Sequence, residues 1–268
     1  MTSVIAWIAA DERRPTGLYF ASDSRRSWEG SSDFRDDCIK LFVADGTSEI
    51  FAFAGDATFP PKVLEKICQR LKLHPQLVNA LDNPYLRSAL IFAQIKEEFD
   101  ALASKPDYGF TILHGTRIGA MYGATFHLYE YSYARGADAV EYGVLNSEAG
   151  GSIILRVNET GKSITVGARG TGRTIVKSFV EKEIMKLGNV SRAQFSAFCA
   201  AVSSSQDEWS GGAIQLVGCL SIKDALHFGV VTPNGTFYKG SSVLPSNHAD
   251  IRWRNTEFEN VDVYGNLK

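Results

Sequence analysis

The chain has 268 residues, 44% of them hydrophobic, and a formal net charge of −2. That size suits one layered α/β or α+β domain with a sizeable core, and the near-neutral charge lacks the basic excess that nucleic acid demands. No apolar run is long enough to span a bilayer, and the short N-terminal run has neither the basic flank nor the small-residue end of a secretory signal, so no membrane partner is expected.

Val4–Ile8 reads as a strand, Asp11–Gly17 as a polar turn and Leu18–Ser22 as the returning strand of a hairpin, which would bring Asp23 beside the first strand. Ile39–Val43 reads as a short strand preceded by a polar, irregular stretch, and Glu49–Gly55 as an apolar strand ending in small residues that permit close backbone approach. Helical spacing over Pro60–Leu73 and from Asn83-Pro84 through Phe99 predicts two helices. Phe110–His114 and Ile118–Tyr122 read as paired strands, and Thr125–Tyr133 alternates like a strand. The tyrosines Tyr122, Tyr129, Tyr131, Tyr133 and Tyr142 suit a sheet face or a contact surface. A hairpin over Ser152–Val157 and Lys162–Val166, helices Thr174–Leu187 and Ser191–Ser203, and closing strands from Ala213 to Tyr238 complete the pattern. From Ser241 onward the chain is polar and reads as a surface arm. Strands and helices in blocks predict antiparallel sheets between helix layers, in one domain over 1–240 with an extension over 241–268.

Cys38, Cys68, Cys199 and Cys219 have no C-x-x-C spacing and read as reduced thiols of a cytoplasmic protein. The five histidines show no H-x-x-x-H pair, so neither a metal nor any other cofactor is expected.

Chemistry enters at the amino terminus. Removal of Met1 would leave Thr2 with a hydroxyl nucleophile and an α-amine on one residue, and such an amine titrates at roughly pH 8, near enough to neutrality to act as a base. Downstream come Ala21-Ser22-Asp23-Ser24-Arg25, Ile39-Lys40, Phe53-Ala54-Gly55, Gly170-Thr171-Gly172 and Asp207-x-x-Ser210-Gly211-Gly212. In this order and spacing the motifs resemble a proteasome β-type subunit of the N-terminal-nucleophile (Ntn) hydrolases, a group that includes HslV-like peptidases and smaller bacterial proteasome homologues. The match runs from Thr2 to about Tyr238.

The resemblance implies an α+β fold, a four-layer αββα sandwich with two antiparallel sheets between helix layers. It casts Thr2 as nucleophile, Lys40 as the lysine beside it, Asp23 as that lysine's carboxylate and Gly55 as the oxyanion-hole N–H. Thr171, Asp207, Ser210 and Gly211 would surround the terminal amine, while Phe53 and Ala57 would shape the primary specificity pocket. Peptide or unfolded protein is the implied substrate, and a homo-oligomeric ring the implied assembly. An ATP-driven unfolding partner is admitted by the resemblance, though no residue here points to one. Which amine takes the hydroxyl proton stays open.

Four departures stand out: the Asp11–Gly17 turn is long, Thr171 stands where the family commonly has a serine, 125–150 resembles an insertion, and the tail exceeds the family core. The alternatives are a non-catalytic ring subunit on the same fold and an Ntn amidohydrolase or peptide transferase for small substrates. A further competitor is Gly167-Ala-Arg-Gly-Thr-Gly172-Arg173-Thr174, which fits a phosphate-binding loop with arginine where lysine belongs.

Overall fold

The computed structural model describes residues 3–27, 33–144, 162–244 and 250–268. The expected Ser152–Val157 strand lies outside them. Strands β1 (Ser3–Ala10) and β2 (Pro15–Ser22) form the first hairpin, followed by a two-residue ribbon of β3 (Arg26–Ser27) and β4 (Phe34–Arg35). Next come β5 (Leu41–Val43), β6 (Ile50–Gly55), and helices α1 (Phe59–Leu73), α2 (Gln76–Asn79) and α3 (Pro84–Asp100). β7 (Phe110–Ile118), β8 (Thr125–Tyr133), β9 (Glu141–Val144) and β10 (Ile164–Gly170) precede α4 (Arg173–Leu187) and α5 (Ser191–Ser203). The chain closes with β11 (Gln215–Leu220), β12 (Lys223–Thr232), β13 (Gly235–Tyr238), β14 (Ser241–Ser242), β15 (Arg252–Asn255) and β16 (Asn260–Val261).

The fold is mixed α+β. Among the described residues, β10-β1-β2-β11-β12-β13-β14 run in order through one sheet, which β15 and β16 extend from β12, and β5-β6-β7-β8-β9 make a second. Every pairing is antiparallel except β12 with β15, where the expectation of two purely antiparallel sheets fails.

Strand β1 shows how the layers are built. Its alternate residues Val4, Ala6 and Ile8 join Phe20, Ala52, Leu113 and Leu128 in a core fed by both sheets. The intervening Ile5, Trp7 and Ala9 join Val176, Phe195 and Phe198 from α4 and α5. A third core packs α1 and α3 against Phe51, Phe53, Ile112 and Tyr131. A large apolar side chain contributes roughly 1.5–3 kcal/mol on full burial. β1 is therefore held from both faces, and a one-residue slip would exchange them. This fixes the place of Ser3 at the start of β1.

The helix ends follow local chemistry. Asn83 accepts the Tyr85 N–H at 2.9 Å ahead of Pro84 in the first turn of α3, an arrangement worth about 1 kcal/mol. At α1 the carboxylate of Asp56 accepts the N–H groups of Thr58 and Phe59.

Two expectations are corrected. The predicted break between Phe110–His114 and Ile118–Tyr122 does not occur. β7 runs unbroken through Gly115, whose missing Cβ makes room for Leu18 and Phe20 of the facing sheet, and a 3-10 turn at Met121–Gly123 follows. Thr125–Tyr133, within the stretch that resembles an insertion, is no appendage to the sheet, because β8 pairs with β7 along its whole length and Phe126, Leu128, Tyr129 and Tyr131 are fully buried. Nor is the segment after Ser241 a surface arm. Trp253 packs into the hollow left by Gly229, Val261 is buried, and Phe258 lies 5.1 Å from Tyr19 and 5.7 Å from Trp7, ring centre to ring centre.

Candidate active site

The hairpin of β1 and β2 ends with Asp23 opposite Ser3, where the Asp23 N–H donates to the Ser3 carbonyl. Asp23 is fully buried and its carboxylate accepts four donors. Oδ1 takes the Ser3 N–H at 2.9 Å and the Lys40 ammonium at 2.8 Å. Oδ2 takes the N–H groups of Gly211 at 3.0 Å and Arg25 at 3.2 Å. A carboxylate removed from water persists only when paired and hydrogen-bonded in this way.

Lys40 stands just ahead of β5 and is 1% exposed. Its Nζ also donates to the Arg25 carbonyl at 2.5 Å. An ammonium has three donors, so two are engaged among the described residues. The Lys40 carbonyl accepts the N–H of Phe53. Two residues beyond Phe53, β6 ends at Gly55, whose φ of +99° and approach to the Gly109 carbonyl exclude any Cβ.

A second cluster gathers hydroxyls at the start of β1. Ser210 Oγ donates to Asp207 Oδ2 at 2.6 Å. A hydroxyl has one proton, so the Ser3 hydroxyl, 2.7 Å away, donates to Ser210. Thr171 Oγ1 donates to the same Asp207 oxygen at 2.9 Å. Gly172 makes the gathering sterically feasible, since a Cβ there would lie 2.0 Å from Ser3 Oγ. Gly211 links the clusters, because its N–H meets Asp23 and its carbonyl accepts the N–H groups of Ser24 and Arg25.

The sequence-derived residues therefore divide as follows. Asp23, Lys40, Thr171, Asp207, Ser210 and Gly211 belong to one hydrogen-bonded constellation around Ser3. Gly55 ends the strand whose Phe53 N–H meets Lys40. Thr2 lies outside the described residues. Phe53, expected beside Ala57 in a pocket, has its ring fully buried in the core against α1 and α3 instead. Ala57 does line one, a cavity of about 540 Å³ alongside β5 whose walls include Cys38, Phe42 and Pro61. Burial pushes the Cys38 thiol up from its ordinary value, which keeps it protonated and weakly nucleophilic.

The phosphate-loop alternative loses its footing. β10 pairs antiparallel with β1, so no parallel β-α-β unit surrounds the loop, and Thr171 and Gly172 are taken up by Asp207 and Ser3. No cluster of three or more histidine, cysteine or acidic side chains among the described residues could hold a metal ion.

Sequence reasoning missed three participants. Ser3 received no role beside Thr2. Arg25, paired with Asp36 at 2.8 Å, packs over Gly211, whose lack of a side chain admits the guanidinium. Gln215 was read as an ordinary strand residue, yet its amide bonds to Asp23, Cys38 and Lys40. A polar residue interrupting an apolar run, Gln215 between Ala213-Ile214 and Leu216-Val217, was the available signal.

Apart from this site, the buried Glu49 carboxylate pairs with Arg87 and is hydrogen-bonded to His114 and Thr116. Burial pushes the Glu49 carboxyl up, but hydrogen bonding and charge from His114 and Arg87 outweigh it and hold Glu49 below its ordinary value. Neither a scan against protein-family models nor a search of curated proteins finds a match to this chain.

Proposed function

We propose that the chain is an N-terminal-nucleophile hydrolase of the proteasome β type, a threonine peptidase working through an acyl-enzyme. One observation carries this reading. A fully buried lysine–aspartate pair is hydrogen-bonded to the backbone N–H of Ser3, the residue that follows Thr2, and the Ser3 hydroxyl begins a hydrogen-bonded chain through Ser210 to Asp207 and Thr171. The alternation of cores between helices and sheet, sheet and sheet, and sheet and helices supports a four-layer αββα sandwich.

With Met1 removed, the Thr2 hydroxyl attacks the substrate carbonyl. Its proton passes to the α-amine or to Lys40 and then to the leaving amine as the peptide C–N bond breaks. Water attacks the resulting ester, releasing the acid and restoring the hydroxyl. Asp23 orients Lys40 and balances its charge. The Gly55 N–H would receive the developing oxyanion, a donor worth about 3 kcal/mol in the transition state. Asp207, Ser210 and Thr171 hold the amine in register. The assembly proposed is a homo-oligomeric ring enclosing the sites, acting on peptides or unfolded protein, alone or with an ATP-driven unfolding partner.

A non-catalytic ring subunit would have little use for this arrangement. A buried ion pair is often no more stabilising than apolar residues of the same volume, so retaining one with so many fixed donors favours chemistry over support.

Intact mass of the purified protein, before and after incubation with a peptide epoxyketone, tests the reading. Loss of Met1 followed by one adduct on Thr2 is the expected result, and Thr2→Ala should take no adduct and cleave no peptide. Undiminished peptidase activity in Thr2→Ala would defeat the mechanism.

A further inference from the structure

Gln215 opens β11 and is 2% exposed. Its side-chain amide reaches both chain segments that carry the buried ion pair. Nε2 donates to the Asp23 carbonyl at 3.1 Å and to the Cys38 carbonyl at 2.9 Å, while Oε1 accepts the Lys40 N–H at 3.1 Å. Both N–H donors of the amide are thereby engaged. Gly240 closes the space behind, since a Cβ there would approach the Gln215 amide carbon and nitrogen to 3.2 Å.

This arrangement matters because lysine is long and flexible. Its ammonium finds a fixed oxygen only if its own backbone is anchored relative to that oxygen. The Lys40 backbone is held on one side by Phe53, which donates to its carbonyl, and on the other by Gln215. The Asp23 backbone is held by Ser3 and, again, by Gln215. The Cys38 N–H also donates to Ser24, so the two segments meet at a backbone bond as well. Gln215 is the side chain that ties both to the sheet beneath them.

We propose that Gln215 is a positioning residue, a planar amide clamp that sets the separation and alignment of Lys40 and Asp23. Its catalytic consequence rests on the hydrolase reading above. The clamp itself does not.

The test compares Gln215→Met, which keeps the shape and removes the hydrogen bonds, with Gln215→Glu and with Val217→Ala. Val217 lies on the same strand in the inter-sheet core and reports a loss of stability without touching Asp23 or Lys40. The first readout is the rate at which Lys40 is modified by an amine reagent, followed by peptide mapping. Labelling at least tenfold faster in Gln215→Met than in wild type or Val217→Ala is expected.

The second readout is the rate of Thr2 modification by the epoxyketone, measured from pH 8 to pH 6. Misplacement of a reacting group by about 1 Å can cost about a hundredfold, so both Gln215 variants should slow by at least ten. The deficit in Gln215→Glu should shrink as pH falls, because a neutral carboxylic acid can again donate to one carbonyl and burial favours that form. A purely structural role would produce no such pH-dependent rescue.

Lys40 labelling unchanged in Gln215→Met, or raised equally in Val217→Ala, overturns the clamp. If wild type takes no adduct at Thr2, the hydrolase reading fails, and Lys40 labelling still decides the clamp.

Discussion

The Lys40 ammonium lies 2.8 Å from the Asp23 carboxylate, with the two side chains 1% and 0% exposed. Taking both charges out of water costs several kcal/mol each, offset here by direct pairing and by three backbone N–H groups on Asp23. Lys40→Met leaves that carboxylate uncompensated. Denaturant unfolding should report a loss of about 3–5 kcal/mol, and intact mass should report no adduct at Thr2. Lys40→Arg should not restore the adduct, because a planar five-donor fork does not fit where a compact ammonium bridges Asp23 Oδ1 and the Arg25 carbonyl.

Thr171 contributes only its hydroxyl, which donates to Asp207. Thr171→Ser should therefore keep the rate of peptide cleavage within about twofold, while Thr171→Val should lower it by about tenfold, the equivalent of one lost hydrogen bond of ordinary strength. Steady-state kinetics on a fluorogenic peptide distinguishes the two. Equal rates in Ser and Val would remove Thr171 from the site.

Gly55 has a φ of +99°, and a Cβ would come within 2.3 Å of the Gly109 carbonyl oxygen. The left-handed conformation alone costs an alanine about 1–2 kcal/mol, and a backbone clash adds to it. Gly55→Ala should lower the melting temperature and, with the proposed oxyanion donor displaced, reduce kcat more than it raises KM. A variant with wild-type melting and kcat would count against both the geometry and the role.

Acid should destabilise the fold in two stages. Burial, with the Arg87 charge adding, pushes His127 down to about 4 from 6.5. The folded state keeps it neutral while the unfolded chain takes a proton, so its stabilising contribution is complete above pH 6.5 and is lost as pH falls toward 4. At pH 5 the loss is about 2 kcal/mol. Glu49, held below its ordinary 4.5, acts in the next window: its contribution is full above 4.5 and is lost at lower pH. Urea unfolding at pH 7, 5 and 4 should give a shallower decline between pH 7 and 5 in His127→Gln. An identical decline would show that other groups govern that limb.

Trp253 occupies the space beside Gly229 and is 3% exposed. Trp253→Ala should cost about 3–5 kcal/mol and loosen the C-terminal segment, including Phe258 against Trp7 and Tyr19. Limited proteolysis should then cut within 250–268. Unchanged resistance would mean that the segment is held by its edges alone, through β15 and β16.

Much of the fold was legible because its local signals are strong. The apolar run from Val4, the Asn83-Pro84 helix start and the spacing of Ser191–Ser203 each specify an element from nearby residues alone. Where the reading failed, the deciding contact lay far along the chain. Gly115 looked like a strand break until Leu18 and Phe20 approached it from the other sheet. The final segment looked like a surface arm because Trp253, Phe258 and Val261 are sparse, and their burial depends on a hollow made by β12, β1 and β2.

The candidate site divides along the same line. By itself the sequence determined which chemical groups are available and in what order: a threonine after Met1, a lysine near the start of a short strand, two acidic residues near small ones. Only the tertiary structure decided that Lys40 turns inward to Asp23, that Phe53 belongs to the core, and that Gln215 joins the two segments that carry the buried ion pair. The reason is that local propensity governs backbone conformation over a few residues. A buried charge, by contrast, is tolerated only where donors and acceptors from distant parts of the chain converge on it.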